Sequence, residues 1–365
     1  MLLLGATGVI GISATALALA LGTGPTPPAK PLAQAVHDAL AGGAATPVQG
    51  YSASVKLTDH LVEGAELAGG GGGGQGGLAS SPLLDGASGR LWVSKDGRMR
   101  LELQAEKGDT QIVYDGHTVT MYDASSNTIY RYTPKSGESS GGGWTGYAPL
   151  SEKHANGTEP GSEVPSVAKI EEALAEARKH AKLSEATPTD VAGRPAYTVR
   201  VSPNEAGSLL GGAELSFDAD NGLPLRTAVY SSTSSAPVIE LAAGEVSYGP
   251  VDPSIFTITP PSNAKVEELT ITHDTSSKPG ADSSKPTVTT HGKGVSAIAV
   301  LQAKSSGKGA PSSLESLPKV KIGSATASEL RTELGTILTF ERGGVRYVLA
   351  GAVQPAAVEA LARGL

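Results

Sequence analysis

The residue types that most often carry catalysis or bind metals are widely separated in this sequence. Seven histidines are present, and no His-x₃-His or His-Glu-x-x-His spacing would bring two of them onto one helical face as metal ligands. The sequence has no cysteine, which excludes disulfides, thiolate metal sites and cysteine nucleophiles. We therefore expect a binding or interaction protein and not an enzyme, with no cofactor and no metal site.

Two loops superficially resemble phosphate or ion sites. Residues 69–77 are nearly all glycine, but no Gly-Lys-Ser/Thr ends the run and no helical pattern follows it, which favours a flexible loop over a phosphate cradle. The run from Asp218 to Gly222 lacks the later acidic ligand of a calcium loop, and its glycine is misplaced. We interpret this run as a hairpin turn.

Charge and composition limit the classes of partner. The 365 residues are 39% hydrophobic and 18% charged, with 47 Gly and 24 Pro, and this length is typical of two domains. The net charge is −7, and Lys and Arg are scattered rather than gathered in a stripe. Neutralising phosphates requires clustered cations, so we expect no nucleic-acid partner.

The most informative pattern is an apolar one in residues 89–133. Five short strands follow one another there, separated by turns such as Asp115-Gly116, and they predict an up-and-down antiparallel meander. Met99, Leu101 and Leu103 alternate with polar residues, so one face of the sheet should be apolar. Such a face must be buried, either against helices or around a ligand.

Two amphipathic helices are predicted to accompany this sheet. One begins near Leu32, and the other runs from Pro165 to Lys182 with its glutamates opposite an apolar stripe. Six apolar residues of the two helices could form a lid over the sheet: Leu32, Val36, Leu40, Val167, Ile170 and Leu174.

The inward positions of the predicted sheet could line a cavity for acyl chains. Each buried CH₂ of such a chain would contribute about 0.8 kcal/mol. The alternative is that these side chains only pack against the two helices. The candidates are Val55, Leu57, Leu91, Val93, Met99, Leu101, Leu103, Val119 and Met121.

Composition divides the chain into five segments. Residues 2–22 are uncharged and long enough to cross a bilayer, and Ala18-Leu19-Ala20 fits a cleavage site, so both a membrane anchor and a cleaved signal peptide stay open, with a buried core helix as the alternative. Either of the first two places the rest outside the cytoplasm. The expected segments are a signal or transmembrane segment (1–23), a proline-rich spacer (24–31), a main domain (32–265), a linker (266–290) and a small C-terminal module (291–365).

The C-terminal module is predicted to have the order β-α-β-β-α. Thr326-Ala-Ser-Glu329 has the spacing of a capping box and predicts a short helix, and Gly343-Gly344 predicts a hairpin turn. About seventy residues give a marginal core, so we expect this module to dock on the main sheet.

The order of these elements resembles the LolA/LolB/RseB superfamily of lipoprotein carriers and sensors, and in particular actinobacterial LolA-like proteins. The resemblance covers about residues 31–265. Its pieces are Gly193 to Tyr197, the turn from Asp218 to Pro224, and the run from Asp252 to Pro261. It implies an α+β fold, mainly antiparallel β: a curled antiparallel half-barrel covered by helices, with acyl chains in its cavity.

Three functions follow from this resemblance and its departures. The first is an extracytoplasmic carrier or chaperone for lipid or acylated lipoprotein, held at the cytoplasmic membrane by the N-terminal segment or secreted. The second is a sensor similar to RseB, whose C-terminal module contacts a membrane-protein partner. The third is a cell-surface structural protein with a filled core. Mycobacterial lipid carriers of this family have a lipobox cysteine, which this chain lacks.

Overall fold

The computed structural model describes residues 24–62, 86–106, 108–133, 164–269, 287–304 and 317–365. The predicted membrane or signal segment and the glycine run at 69–77 lie outside these residues. Within the described ranges, no helix is both long and apolar enough to cross a membrane.

The described residues form three α-helices and nineteen strands. The helices are α1 (Leu32–Ala45), α2 (Val167–Arg178) and α3 (Pro355–Gly364). The strands are β1 (Gly50–Asp59), β2 (Ala87–Ser94), β3 (Met99–Ala105), β4 (Gly108–Tyr114), β5 (Val119–Asp123), β6 (Thr128–Tyr132), β7 (Ala181–Leu183), β8 (Thr187–Val191), β9 (Arg194–Pro203), β10 (Leu210–Asp218), β11 (Pro224–Ser231), β12 (Pro237–Tyr248), β13 (Lys265–Leu269), β14 (Thr287–His291), β15 (Ile298–Lys304), β16 (Lys319–Ile322), β17 (Ala325–Thr332), β18 (Gly335–Arg342) and β19 (Val345–Gly351).

A thirteen-stranded sheet organises the main part of the chain. Its order is β13-β6-β5-β4-β3-β2-β1-β12-β11-β10-β9-β7, with β8 also paired to β9. The predicted meander is present as β2 to β6, and β1 pairs with both β2 and β12, so it joins the meander to strands β7 to β12. All described pairs in this sheet are antiparallel except β13, which runs parallel to β6.

The mainly antiparallel α+β class is confirmed, but the large sheet is open and uncurled rather than a curled half-barrel. Its edge strands β13 and β7 lie at opposite ends of the strand order. Alternation within a strand fixes which residues share a face, whereas curvature across a sheet depends on bulges and twist between strands. The sequence pattern therefore predicted the face and not the curvature.

The two predicted helices exist with changed limits and a changed buried stripe. Helix α2 begins after Ser166, whose hydroxyl accepts a hydrogen bond from the Lys169 amide, and it ends at Arg178, so that residues 181–183 are strand rather than helix. Helix α1 buries Leu32 as predicted, but its other buried side chains are alanines rather than Val36 and Leu40. Small side chains allow this helix to approach the sheet closely.

The C-terminal module is a six-stranded antiparallel sheet in the order β14-β15-β19-β18-β17-β16, packed on α3. The predicted hairpin at Gly343-Gly344 and the closing helix are present. The helix predicted from the capping-box spacing is wrong, because Thr326 and Glu329 lie in strand β17. Glu329 is buried there and pairs with Arg331, so its carboxylate does not cap a helix.

Two further segments differ from their predictions. The alternation of Phe256 and Ile258 favours a strand between Asp252 and Pro261, but residues 253–256 form a 3₁₀ turn in which the Ser254 amide donates to the Asp252 carboxylate. Phe256 is buried under this turn. The predicted linker 266–290 carries strand at both ends of its range, in β13 and β14.

The small sheet contacts the large one through the loop between β9 and β10. The amide of Leu209 donates to the carbonyl of Ala352 at 2.7 Å, the Ser208 hydroxyl donates to the same carbonyl at 3.0 Å, and Ser208 forms a bridge with Val353. A second contact joins the Glu333 amide to the Leu61 carbonyl at 3.0 Å. The docking expected from the sequence is thus made largely by backbone hydrogen bonds.

Candidate functional site

One face of the large sheet carries all nine residues proposed from the sequence as cavity lining. Cross-strand partners point to the same side of a sheet. A row of such partners runs from Ala53 through Leu91, Leu101 and Ile112 to Met121. We call this side of the sheet the apolar face.

Seven of the nine candidates pack together in the middle of the sheet. The meander cluster consists of buried residues on β1, β2 and β3 with half-buried neighbours such as Leu57, Leu91 and Met99. Leu101 is only 2% exposed, and Leu103, Val55 and Val93 are also buried. Val119 and Met121 lie on the same face in β5, half-buried and outside this cluster.

The helices cover a different part of the apolar face. Leu32 and Val36 of α1 and Leu174 of α2 pack in one cluster with Tyr197 of β9 and Phe217 of β10, which we call the helix-covered patch. The two rings are 5.9 Å apart. Three of the six proposed lid residues therefore pack against β9 and β10 in this cluster.

The other lid candidates are not members of that cluster. Ile170 is buried, whereas Val167 and Leu40 are half-buried. The C-terminal end of α1 approaches the turn between β10 and β11 so closely that a Cβ atom on Gly42 would lie 1.9 Å from the Asp220 carbonyl oxygen. Because Gly42 has no side chain, this end of the helix can lie directly against the turn.

Beside the helix-covered patch, the apolar face is exposed. Leu57 lies in a row with Leu241, Thr227 and Leu215, so this region continues the meander cluster across β12, β11 and β10. Leu215 is 44% exposed, and Val201, its diagonal neighbour on β9, is 42% exposed. We call Val201, Leu215 and Thr227 the exposed strip.

A buried carboxylate fixes the turn under α1. Asp218 at the end of β10 is 0% exposed, and it accepts hydrogen bonds from Arg194 Nε at 3.0 Å, the Tyr248 hydroxyl at 2.6 Å and the Asp220 amide at 2.9 Å. The Arg194 guanidinium also lies over the Tyr248 ring, 4.7 Å from its centre. Burial, together with the hydrogen bond to Asp218, raises the pKa of Tyr248 to about 12. We call these three side chains the Asp218 clamp.

The opposite face of the same strands is polar. Arg226 donates from its terminal nitrogen to Glu214 at 2.9 Å and from Nε to Glu240, and Tyr230 donates to Glu214 at 2.6 Å. Arg200 also donates to Glu214, at 3.2 Å. Burial opposes ionisation of Glu214, but the hydrogen bonds from Tyr230 and Arg226 outweigh it and lower the pKa of the carboxyl. The charges satisfy one another, so this network has a structural role.

The described residues contain no cluster of metal-ligand side chains. In the ranges given above, no three His, Asp or Glu side chains converge in the manner of metal ligands. Two depressions, of about 420 and 360 Å³, open beside the Lys95–Arg98 turn and at the ends of β1, β2 and β3. Of the nine cavity candidates, only Leu57 lines either of them.

The residues of the exposed strip were not predicted from the sequence as site residues. Val201 and Leu215 alternate with polar neighbours in their strands, so their position on the apolar face could have been predicted from periodicity. Their exposure could not, because it depends on where the helices lie. Arg194 and Asp218 were noted only as parts of motifs, and their pairing could not be read from local spacing.

Comparisons with known proteins give a short family match and several distant structures. Residues 80–139 match the family described as "Predicted periplasmic protein (DUF2092)". No curated protein matches the sequence. The chain is similar to the complex structure of Pseudomonas aeruginosa MucA/MucB at 14% identity and a TM-score of 0.41, over 91% of this chain and 96% of that one.

Two other matched structures have titles that name the LolA superfamily or lipoprotein sorting, as in the resemblance described from the sequence. One is a LolA superfamily protein from Nitrosomonas europaea, at 9% identity and a TM-score of 0.20 over 88% of this chain and 91% of that one. Another is a putative outer membrane lipoprotein-sorting protein domain from Vibrio parahaemolyticus, at 7% identity and a TM-score of 0.19 over 83% of each chain. At this distance the likenesses transfer no ligand or partner to this chain.

Proposed function

We propose that this protein binds the acyl chains of a lipid or lipoprotein outside the cytoplasm, on the apolar face of its large sheet. The observation that carries the proposal is the exposed strip, where Leu215 and Val201 are each more than two-fifths exposed on a face whose other large apolar side chains are buried or half-buried. Covering a fully exposed Leu or Val side chain contributes about 1.5–3 kcal/mol. A hydrocarbon chain laid over the strip would recover a large part of that.

The proposed site lies beside the residues expected from the sequence. The residues of the meander cluster contact one another, and in this proposal they form the floor beside the strip. The acyl chain is proposed to lie across β9 to β12, between the meander cluster and helix α1. Val201, Leu215 and Thr227 are its primary contacts, with Val229 and Ile239 next to them in register.

The extracytoplasmic location is part of the same proposal. It is supported by the uncharged segment at residues 2–22 and by the description of the family that residues 80–139 match. A binding role is also favoured over catalysis because the exposed strip is made of hydrocarbon and one hydroxyl, with no titratable group among its three residues.

Uptake of a fluorescent fatty acid, 11-(dansylamino)undecanoic acid, tests the proposal. Leu215→Gln removes apolar surface at an exposed position, so we expect weaker uptake by a factor of at least ten and an unchanged unfolding midpoint. Val266→Gln is the matched control, because Val266 is similarly exposed but lies on the opposite face of the sheet. Equal uptake by the Leu215 and Val266 variants, or no uptake by the unmodified protein, would refute the proposal and favour a filled structural core.

Leu101→Asp is not a useful probe of binding. Leu101 is buried in the meander cluster, and an aspartate there would place an unpaired charge in apolar surroundings. The domain would unfold whether or not it binds lipid.

A sensor function is the second candidate, and the docking of the small sheet favours it. The loop that contacts the C-terminal module joins β9 to β10, the two strands that carry Val201 and Leu215. A ligand on the exposed strip would therefore lie on the strands that hold the module. A sensor predicts that the fatty acid changes hydrogen exchange at the Leu209 amide, whereas an unchanged exchange rate at saturating probe would exclude this coupling.

A further inference from the structure

Among the described strands, none pairs with the outer side of β14. It forms one edge of the small sheet, is hydrogen-bonded only to β15 among the described strands, and has all five of its residues exposed. Val288 is 62% exposed. An open edge presents unpaired backbone groups to any other strand that approaches it.

The other edge strands in the described part of the chain have charged residues, a proline or a short length, which disfavour such pairing. The edge β13 contains Lys265, Glu267 and Glu268, and β16 contains two lysines. The edge β8 contains a proline, and β7 has only three residues. Charged side chains, proline and short length are the usual protections of edge strands. The sequence of β14, Thr-Val-Thr-Thr-His, has none of them and is rich in β-branched residues.

The sequence of β14 is compatible with pairing to its own copy. An antiparallel pair centred on Thr289 places Thr289 opposite Thr289 of the second chain, Val288 opposite Thr290, and Thr287 opposite His291. No like charges face each other, and β-branched cross-strand pairs are favourable. The same operation on β13 would place Glu267 opposite its own copy, which is unfavourable.

We propose that two copies of this chain associate through antiparallel pairing of β14, joining two six-stranded sheets into one of twelve strands. The pairing is isologous, so it closes as a dimer. The outer edges that remain are two copies of β16, whose Lys319 and Lys321 oppose further addition. Pairing of five residues buries little surface, so the dimer forms reversibly and depends on concentration.

The absence of cysteine allows a direct test in the full chain. Thr289→Cys introduces a single cysteine, and directly opposed residues in an antiparallel pair have Cβ atoms about 4.5–5.5 Å apart, close enough for a disulfide after small adjustment. Under mild oxidation we expect a covalent species of twice 36.7 kDa on a non-reducing gel. Val266→Cys, at an exposed position of β13, is the matched control and should stay monomeric.

Charge variants test the pairing without oxidation. Thr289→Lys places two lysines opposite each other and should abolish the dimer in sedimentation velocity, and so should Thr289→Glu. An equimolar mixture of the two variants should restore it. If Thr289→Cys crosslinks no more than Val266→Cys, or if Thr289→Lys leaves association unchanged, β14 does not pair with its own copy.

Discussion

Removing either charged side chain of the Asp218 clamp, Asp218 or Arg194, should destabilise the large sheet, and the two losses should be unequal. Breaking a buried ion pair by deleting one member costs about 3–5 kcal/mol, because the other member keeps a buried charge without compensation. In Asp218→Ala the remaining partner is Arg194, whose side chain is 32% exposed and can turn to water. In Arg194→Met the remaining partner is the Asp218 carboxylate, which is 0% exposed.

The two variants should therefore fall at opposite ends of that range. We expect Asp218→Ala to cost about 3 kcal/mol and Arg194→Met about 5 kcal/mol. The Tyr248 hydroxyl and the Asp220 amide keep two hydrogen bonds to the carboxylate in the Arg194 variant, but neither group carries a positive charge. The double variant should cost less than the sum of the two, because it leaves no buried charge.

Urea unfolding followed by circular dichroism measures these differences directly. The slope m should stay unchanged, since the surface exposed on unfolding is the same. A spectrophotometric titration of tyrosine in Asp218→Ala should show the pKa of Tyr248 falling from about 12 while staying above 10, because burial remains when the hydrogen bond is lost. Equal costs for the two single variants, or an Arg194 variant less damaging than the Asp218 variant, would refute the assignment of Asp218 as a buried charge held by Arg194.

Three other changes test separate parts of the fold. The pKa of Glu214 is lowered in the folded protein. Its contribution to the unfolding free energy is therefore complete above the unfolded pKa of about 4.3, and it is lost as the pH falls through the lower folded pKa. In Glu214→Gln the unfolding free energy should fall less steeply on acidification, measured by urea titration from pH 7 to 3. Gly42→Ala would stabilise an ordinary helix by about 1 kcal/mol, but here it should destabilise, because its Cβ would meet the Asp220 carbonyl; a thermal midpoint that rises would contradict this packing. Leu338→Ala, at a fully buried position of the small sheet, should lower the unfolding free energy by about 2–5 kcal/mol, measured by urea unfolding. A loss below about 1 kcal/mol would contradict the described core.

The strands of the large sheet could be predicted from the sequence because their apolar and polar side chains alternate. Met99, Leu101 and Leu103 were predicted to share an apolar face, and the register of β2, β3 and β4 places them there. The turns could be predicted because hairpins need positive φ values that glycine adopts readily, and Gly116 and Gly343 have such values. Local rules govern both features.

The failures share a different cause, which is that tertiary contacts override local patterns. Thr326 to Glu329 has the spacing of a helix cap, yet Ala327 and Glu329 are buried in strand β17 between β16 and β18. Helix α1 was expected to bury Val36 and Leu40, but Ala35 and Ala39 face the sheet because the helix approaches it closely. The position of the helices on β9 and β10, and with it the location of the exposed strip, depends on contacts between residues far apart in the chain.

The place of β1 in the sheet has a consequence for how the protein is made. This first strand lies between β2, which follows it in the sequence, and β12, whose Tyr248 stands opposite Tyr51. During synthesis, one side of β1 stays unpaired until the residues of β12 have been made, and such long-range pairing is slow and prone to aggregation. Fragments that stop before β12 should therefore need a holding chaperone, even though the meander that they contain is complete.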